Sequence, residues 1–347
     1  MQRVLGILLG VAAGALLLAV PLRDAHAAPR PASADKVVAR WPLGGAGGWD
    51  YLSLDHARRH LFVSHGDRVL VVDVDSGKTI ATIAPTPGVH GIAIAPDLHR
   101  GFISDGKRAA VTSFDLDTLK PLATIEGTGA NPDAILYDSA SHHVLTFNGH
   151  SDNASVIDPR KNAVIATIAL PGKPEFAVSD GAGHIYVNIE DKSELVQIDA
   201  AHDTVLHTWP LAPCQSPSGL ALDNAHHRLF SVCENRVMSV TDARDGHHLA
   251  TVAIGEGPDA VAFDPKLGMI YSSNGRSGTI TAVHEDDPDH FRVTATIPTQ
   301  VSARTLTLDP ATHRLYLSAA RLGAAKQAGH RPPIVPDSFA VLVVGQP

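Results

Sequence analysis

The chain has 347 residues, of which 44% are hydrophobic and 18% charged, and its formal net charge is −8 at pH 7. An acidic surface repels the phosphate backbone, so we expect no nucleic-acid partner. The 29 glycines and 24 prolines favour many short strands joined by tight turns over long helices.

The first segment of the chain is typical of an exported protein. Arg3 precedes an apolar stretch at residues 4–20, and residues 25–27 read Ala-His-Ala. These features predict a secretory signal peptide at 1–27 and a periplasmic or secreted mature protein at 28–347. The alternative is a retained membrane anchor, because the apolar stretch is only slightly shorter than a membrane span. After cleavage we expect no membrane span.

One sequence pattern recurs seven times through the rest of the chain. Its copies begin near residues 49, 89, 132, 174, 217, 258 and 303, and include GANPDAILYD at 129–138 and GEGPDAVAFD at 255–264. The spacing of about 42 residues indicates a repeat architecture. Each copy continues as alternating runs of four to six residues separated by turn residues, which predicts a four-stranded antiparallel meander. Repeats of this kind predict propeller blades, because neighbouring blades bury the faces that one blade exposes.

The last copy lacks a fourth strand, since it ends with FAVLVVGQP at 339–347. The stretch DKVVARWPLGG at 35–45 resembles the fourth strands of other copies and precedes the first copy. We therefore predict a single all-β domain, a seven-bladed β-propeller of four-stranded antiparallel blades. Its N-terminal strand completes the last blade and removes the exposed edges.

Several segments resemble the YVTN-repeat propellers of the YncE-like family, which are exported bacterial proteins. They include HIYVN at 184–188, RLFSV at 228–232, YSSNGRSGTITAVHEDDPD at 271–289 and RTLTLDPATHRLYLSAA at 304–320. The Gly-His and Trp-Asp signatures of WD40 repeats do not recur. The resemblance implies the fold and no defined activity, because one propeller fold hosts many functions.

Seven dissimilar residues occupy the start of the first strand in the seven copies. In a propeller this strand is innermost, so its start surrounds one mouth of the central channel. We call them the ring residues: Asp50, His90, Asp133, Glu175, Ser218, Asp259 and Arg304. Four carboxylates with an imidazole and a guanidinium suit a hard cation or a polar small molecule. The alternative is that Asp after Pro or Gly only caps a turn.

The predicted site therefore has two overlapping sets. The candidate metal ligands, for a divalent cation such as calcium, are Asp50, His90, Asp133, Glu175 and Asp259. The ligand-binding set adds Arg304 and three further residues that lie at or just after the end of a second strand: Asn148, Glu190 and Asn274. Asn148 and Asn274 each precede Gly, so the alternative for them is a role in the turn itself.

The histidines at the turns between first and second strands belong to the opposite face. We expect them to be exposed and too far apart to bind one ion: His56, His60, His99, His142, His143, His184, His226, His227 and His313. Four histidines belong to the mouth face: His65, His90, His150 and His330.

Two further features lie on the mouth face. Cys214 lies in the connection that enters the fifth copy and Cys233 at the end of its second strand, which predicts a disulfide in an exported protein, worth roughly 3 kcal/mol. The alternative is a thiolate pair for a soft metal. A basic loop at 319–338 is longer than a connection requires, so it is either a lid or partner-binding loop or an insertion without function.

These features lead to two functional hypotheses. The first is a monomeric exported binding or scaffold propeller that recognises a small polar ligand, a metal ion or a protein partner at the mouth face. The rival is a metal-dependent hydrolase or lyase of the lactonase type, in which ring carboxylates hold a divalent cation. The sequence contains no nucleophile motif or phosphate-binding loop.

Overall fold

Seven four-stranded antiparallel sheets make up the fold, as predicted. The computed structural model describes residues 35–324 and 332–347, so the predicted signal peptide and the tip of the basic loop lie outside the described residues. Strand order within each sheet follows chain order, except in the sheet that joins the two ends of the chain. We call the four strands of a blade A to D, from the channel outwards.

The blades are built from 28 strands. Blade 1 contains β2 (Leu52–Asp55), β3 (His60–His65), β4 (Arg68–Asp73) and β5 (Lys78–Ile83). Blade 2 contains β6 (Val89–Ala95), β7 (Arg100–Asp105), β8 (Ala110–Asp115) and β9 (Pro121–Glu126). Blade 3 contains β10 (Pro132–Asp138), β11 (His143–Asn148), β12 (Asn153–Asp158) and β13 (Ala163–Ala169). Blade 4 contains β14 (Pro174–Ser179), β15 (His184–Ile189), β16 (Glu194–Asp199) and β17 (Thr204–Pro210).

The remaining blades follow the same order. Blade 5 contains β18 (Pro217–Asp223), β19 (Arg228–Cys233), β20 (Val237–Asp242) and β21 (His248–Ala253). Blade 6 contains β22 (Pro258–Asp264), β23 (Met269–Asn274), β24 (Thr279–Asp287) and β25 (His290–Pro298). Blade 7 contains β26 (Thr305–Asp309), β27 (Arg314–Ala319), β28 (Ala340–Gly345) and, as its outer strand, β1 (Lys36–Pro42). The described helices are two 3₁₀ turns, Pro96–Leu98 and Glu190–Lys192.

The N-terminal strand closes the ring, which confirms the prediction. β1 pairs antiparallel with β28, from Lys36 opposite Gly345 to Pro42 opposite Ala340. The A strands of neighbouring blades contact one another all the way round, including β2 with β26. Closure leaves β28 with partners on both sides, so this edge is not open to another chain.

The hydrophobic core is divided among the junctions between blades. Seven apolar clusters occur among the described residues, and each joins side chains of two adjacent blades. At the junction of blades 5 and 6, Phe230 packs against Phe263 with ring centroids 5.6 Å apart. Strands in the middle of a blade are buried on both faces, as β19 is throughout, while the outer strand β17 is mostly exposed.

The disulfide prediction is confirmed. Cys214, just before β18, and Cys233, at the end of β19, are bonded on the mouth face of blade 5.

Among residues 35–324 and 332–347, no helix has the length and hydropathy needed to cross a bilayer.

Removing the closing strand tests how much the ring depends on it. A chain that begins at Leu43 lacks β1 and exposes the edge of β28, so we expect a lower melting temperature and self-association through that edge. A chain that begins at Asp35 keeps β1 and is the matched control. Differential scanning fluorimetry and size-exclusion chromatography measure both effects; a monomer of unchanged stability without β1 would contradict the closure argument.

Candidate functional site

The starts of the seven A strands meet at the channel mouth, and hydrogen bonds from neighbouring blades fix their backbones. Thr305 Oγ1 donates to the carbonyl of Asp50 at 2.7 Å, and Ser104 Oγ donates to the carbonyl of Asp133 at 2.6 Å. The amide of Asn188 donates to the carbonyl of Ser218 at 2.9 Å. These three ring residues are thus held both by their own blade and by a neighbouring blade, which is the rigid support that a binding site needs.

Three predicted metal ligands lie together on one side of the mouth. Nδ1 of His90 lies 2.7 Å from Oδ2 of Asp50 and 3.5 Å from Oδ1 of Asp133. One donor atom from each residue lies within 4.8 Å of the others, close enough to share an ion. Oδ1 of Asp133 is buried and accepts no hydrogen bond from the described residues.

The other two predicted metal ligands are engaged by cations of the protein. Asp259 forms an ion pair with Arg304 and accepts a hydrogen bond from Ser218 Oγ at 2.8 Å. Arg304 also lies 3.2 Å from Asp50 and donates to the carbonyl of Trp49 at 2.7 Å. The five predicted ligands therefore do not surround one point, because Arg304 neutralises Asp259 on the opposite side of the ring from Asp133.

Glu175 is paired with a lysine that sequence reasoning missed. Nζ of Lys173 lies 2.6 Å from Oε1 of Glu175 and also pairs with Glu190. Lys173 stands two positions before the ring residue of blade 4, in the connection that enters its A strand. The sequence KPEF at 173–176 places the lysine two residues before the glutamate. Only the structure shows that the ammonium group turns back towards Glu175.

The channel below the ring has an aromatic floor, which was also not foreseen. Tyr51 and Phe176, the residues after the ring positions of blades 1 and 4, have ring centroids 5.1 Å apart. In other blades the corresponding position is small, as with Gly91, where a Cβ would meet Ile135 at 2.9 Å. The sequence did contain a signal for this contact, since only two of the seven copies have an aromatic residue directly after the ring position.

Burial and crowding shift the protonation of the ring residues. Burial and the charge of Asp50 raise the pKa of Asp133 to about 7, although His90 opposes this. Burial alone would lower the pKa of His90, but its hydrogen bond with Asp50 and the charge of Asp133 raise it to about 9. Burial, followed by Asp133, also raises the pKa of Glu175. Crowding and burial therefore raise the pKa values of two ring carboxylates, and the carboxylates raise that of the imidazole between them.

A cavity of about 1120 Å³ opens over one side of the ring. Its polar lining includes Glu175, Glu190, Glu234, Asp259, Arg276 and Arg304. Its apolar wall includes Leu322, Pro332, Pro333 and Ile334 from the two ends of the basic loop, which a Leu322–Ile334 bridge holds together. The described ends of this loop thus contribute directly to the cavity, while Lys326, His330 and Arg331 lie outside the described residues.

Two predicted ligand-binding residues do not reach the cavity. Asn148 and Asn274 are fully buried. The amide of Asn148 donates to Asn153 at 2.7 Å and to Ser155 at 2.9 Å, inside its own hairpin. The amide of Asn274 bonds in the same way to Thr279 and Thr281. The turn-forming alternative therefore describes both residues, because their polar atoms are already paired within the blade.

The turn histidines of the opposite face differ from the expectation of simple exposure. Several are partly buried and bonded to carboxylates; Nδ1 of His313, for example, lies 2.6 Å from Oδ2 of Asp264 in the neighbouring blade. On the mouth face, His65 is buried and stacks on Phe339 with centroids 4.1 Å apart. Such pairing was not visible in sequence, because most of the carboxylates come from other turns or blades.

The chain is similar to two groups of curated proteins. It is 24% identical over 229 residues to the uncharacterized protein YncE of Salmonella typhimurium, covering 65% of this chain and 52% of that protein. It is 24% identical over 246 residues to antigen Lp49 of Leptospira interrogans, covering 63% of this chain and 51% of that protein. The chain thus spans about half the length of the curated relatives it matches. No protein-family model matches it.

Solved structures share the fold at low sequence identity. Hydrazine synthase of Kuenenia stuttgartiensis superposes with a TM-score of 0.70 at 15% identity, covering 78% of this chain and 92% of that chain. The WD40 repeats of RRP9 give a TM-score of 0.72 at 13% identity, covering 92% and 99%. These likenesses show the propeller fold and carry no function with them.

Replacing Asp133 by Asn tests the electrostatics of the ring. The pKa of Asp133 lies above its usual 3.8, at about 7 in the folded protein. Ionisation of this carboxyl therefore lowers the free energy of unfolding as the pH rises from about 4 to about 7. Asp133→Asn should therefore raise the melting temperature at pH 8, by about 2 °C or more, and change it less at pH 5. Asp67→Asn, at an exposed mouth-face carboxylate, should leave the pH dependence unchanged. Equal effects of Asp133→Asn at both pH values would contradict the shift.

Proposed function

Since the chain is a YncE-like β-propeller, we propose that it is an exported binding protein whose channel mouth holds a small polar ligand bearing a protonated amine. The fold supports a binding or scaffold role in general terms. The ring supports the narrower proposal, and the cavity beside Asp133 is lined by other ring residues, Glu175, Asp259 and Arg304. The aromatic floor argues for a closed pocket at this end of the channel rather than a pore.

The observation that carries this proposal is the unpartnered acceptor of Asp133. Its Oδ1 atom is buried and accepts no hydrogen bond from the described residues, and the imidazole of His90 is 3.5 Å away. Asp50 and Asp259, by contrast, each have both oxygens hydrogen-bonded. A buried polar atom that lacks a partner costs about 1–3 kcal/mol. A ligand that donates to this oxygen would recover that cost.

The lining of the cavity indicates the chemistry of the rest of the ligand. Its four acidic residues face three cations of the protein, because Glu234 pairs with Arg276, Asp259 with Arg304, and Glu175 and Glu190 share Lys173. The excess of one negative charge favours a positive group. The apolar wall of the basic loop faces the same space and suits a short hydrocarbon portion. A small amine with an apolar part satisfies both surfaces, as is usual for pockets with few convergent polar groups.

Export is part of the proposal and rests on two observations. The Cys214–Cys233 disulfide is the kind of crosslink that persists in oxidising compartments. The N-terminal sequence has the features of a cleaved signal peptide. A periplasmic binding protein would meet small amines before the inner membrane does.

A panel of small aliphatic and aromatic amines tests this function directly. We expect at least one to raise the melting temperature and to bind by calorimetry, with an affinity that rises from pH 6 to pH 8. The reason is that a cation at the ring favours ionised Asp133, whose pKa is about 7 without it, so binding releases a proton.

Asp133→Asn should weaken this amine binding by about tenfold or more, since it replaces a charge-assisted hydrogen bond by a neutral contact. Asp67→Asn, at an exposed carboxylate of the same face, is the matched control and should bind as the parent does. Failure of every amine to bind, or equal binding by Asp133→Asn, would refute the proposal.

A metal-dependent hydrolase is the second candidate, because Asp50, His90 and Asp133 bring three donor atoms within 4.8 Å. A divalent cation there would supply Lewis-acid chemistry. The donor set fits calcium only in part, since one ligand is an imidazole and Arg304 already lies 3.2 Å from Asp50.

Calcium and magnesium separate the two candidates. If the ring is a hydrolase centre, either ion should raise the melting temperature of the chelator-treated protein, and Asp133→Asn should abolish that rise. We expect no such rise, because Arg304 and His90 supply the positive charge that an ion would bring. A calcium-dependent rise that Asp133→Asn removes would favour the hydrolase.

A further inference from the structure

A second group of ionisable residues lies on the far face, the end of the ring where the A strands finish. Asp223 ends β18 in blade 5, His226 follows it in the turn to β19, and Glu285 comes from β24 in blade 6. Nδ1 of His226 lies 2.6 Å from Oδ2 of Asp223 and 3.3 Å from Oε1 of Glu285. One donor atom of each residue lies within 4.8 Å of the others.

Glu285 is the unusual member of this group. Its side chain is only 3% exposed, and neither carboxylate oxygen accepts a hydrogen bond from the described residues. A buried carboxylate without donors costs much more free energy than a solvated one. The opposite wall is another buried carboxylate, Asp223, with a side chain 3% exposed. Two adjacent buried carboxylates require a positive charge between them or a shared proton.

Glu285 reaches this position because the hairpin formed by the two outer strands of blade 6 is longer than in the other blades. β24 and β25 have nine residues each, whereas the C strands of the other blades have six. The longer hairpin packs on blade 5: Phe291 lies against Phe230 with centroids 5.9 Å apart, and Arg228 Nε donates to the carbonyl of Pro288 at 2.7 Å. This docking presses Glu285 against the turn that carries His226.

The neighbouring cation does not neutralise the pair. The guanidinium of Arg228 donates to Asp242 at 2.9 Å and to Asp289 at 3.2 Å. Its donors are therefore directed to other carboxylates and carbonyls, and none reaches Glu285. Among the described residues, His226 is the cationic side chain that forms ion pairs with Asp223 and Glu285.

We propose that Asp223, His226 and Glu285 bind a divalent transition-metal cation, with zinc as the best match, on the far face between blades 5 and 6. The ligand set is one imidazole nitrogen and two carboxylates, which suits zinc better than calcium. Tetrahedral coordination with metal–ligand distances of about 2.0–2.2 Å places neighbouring ligand atoms roughly 3.3–3.6 Å apart. The His226–Glu285 distance of 3.3 Å matches this separation, and the His226–Asp223 distance of 2.6 Å is a hydrogen-bond distance that metal binding would lengthen.

The proposed site has an open side. The side chain of His226 is 47% exposed, so water can complete the coordination shell. The backbone amide of Ala225 donates to Oδ1 of Asp223 at 2.9 Å, which leaves Oδ2 directed at His226. An outer hydrogen bond of this kind orients a metal-binding carboxylate.

A His–Asp pair without a third carboxylate occurs at the next junction, where it joins two blades instead of lying within one turn, and it provides a control. His313 of blade 7 bonds to Asp264 of blade 6 at 2.6 Å, and this pair belongs to none of the three-donor groups among the described residues. A His–Asp pair alone is therefore a repeated structural feature of this face. Glu285 is the addition that makes the junction of blades 5 and 6 different.

Calorimetric titration of the chelator-treated protein with Zn²⁺ tests the proposal. We expect one site that Ca²⁺ does not occupy, and whose affinity falls at least about tenfold in Glu285→Gln and in His226→Ala, because loss of a direct ligand exceeds loss of an outer partner. The controls His313→Ala and Asp133→Asn should keep the site. Binding of Co²⁺ in place of Zn²⁺ should give a visible absorption band that Glu285→Gln abolishes.

Stability measurements separate lost binding from lost folding. Without metal, Glu285→Gln should melt at or above the temperature of the parent protein, since it removes a buried unpaired charge. Zn²⁺ should raise the melting temperature of the parent protein and of His313→Ala, and not that of Glu285→Gln. If the parent protein does not respond to Zn²⁺, or if Glu285→Gln binds it equally well, the two carboxylates share a proton and the proposal is overturned.

Discussion

Every blade of this protein is apolar on both faces, and the rest of the structure depends on covering those faces. A four-stranded sheet with both sides buried cannot be stable alone, because burial of apolar surface is the main force that offsets chain entropy. Seven blades solve this by packing each against two others, with one apolar cluster at every junction. The last sheet has its fourth strand because the N-terminal strand returns to pair with the C-terminal one.

Closure also creates the chemistry of the channel mouth. It brings the start of seven inner strands to one opening, where side chains that are distant in sequence share a poorly solvated space. The protein balances four carboxylates with an imidazole, a guanidinium and the lysine before Glu175. Among the described residues, Asp133 is the ring carboxylate with a buried oxygen that accepts no hydrogen bond. An incomplete balance of this kind is more typical of a binding site than of a structural ion-pair network.

The two ends of the ring use the same repeat differently. On the far face, the repeat supplies Asp residues that cap turns and histidines that bond to them, so most of its charge is structural. One lengthened hairpin in blade 6 changes that at a single junction by adding a buried carboxylate. Departures from a repeat are therefore more informative about function than the repeat itself. The basic loop of blade 7, whose ends line the mouth cavity, is a second departure.

The sequence by itself determined the fold, the number of blades, the closing strand, the disulfide and the identity of the ring residues. These follow from local periodicity and from counting, since a strand pattern repeated at constant spacing has few ways to bury its faces. Only the tertiary structure decided which ring residues pair, because pairing depends on distances across the channel. Lys173 forms an ion pair with Glu175, and Tyr51 packs against Phe176. The side-chain amides of Asn148 and Asn274 donate hydrogen bonds within their own hairpins. Contact between Glu285 and His226 depends in the same way on how one hairpin docks on its neighbour, which no spacing within a single repeat can specify.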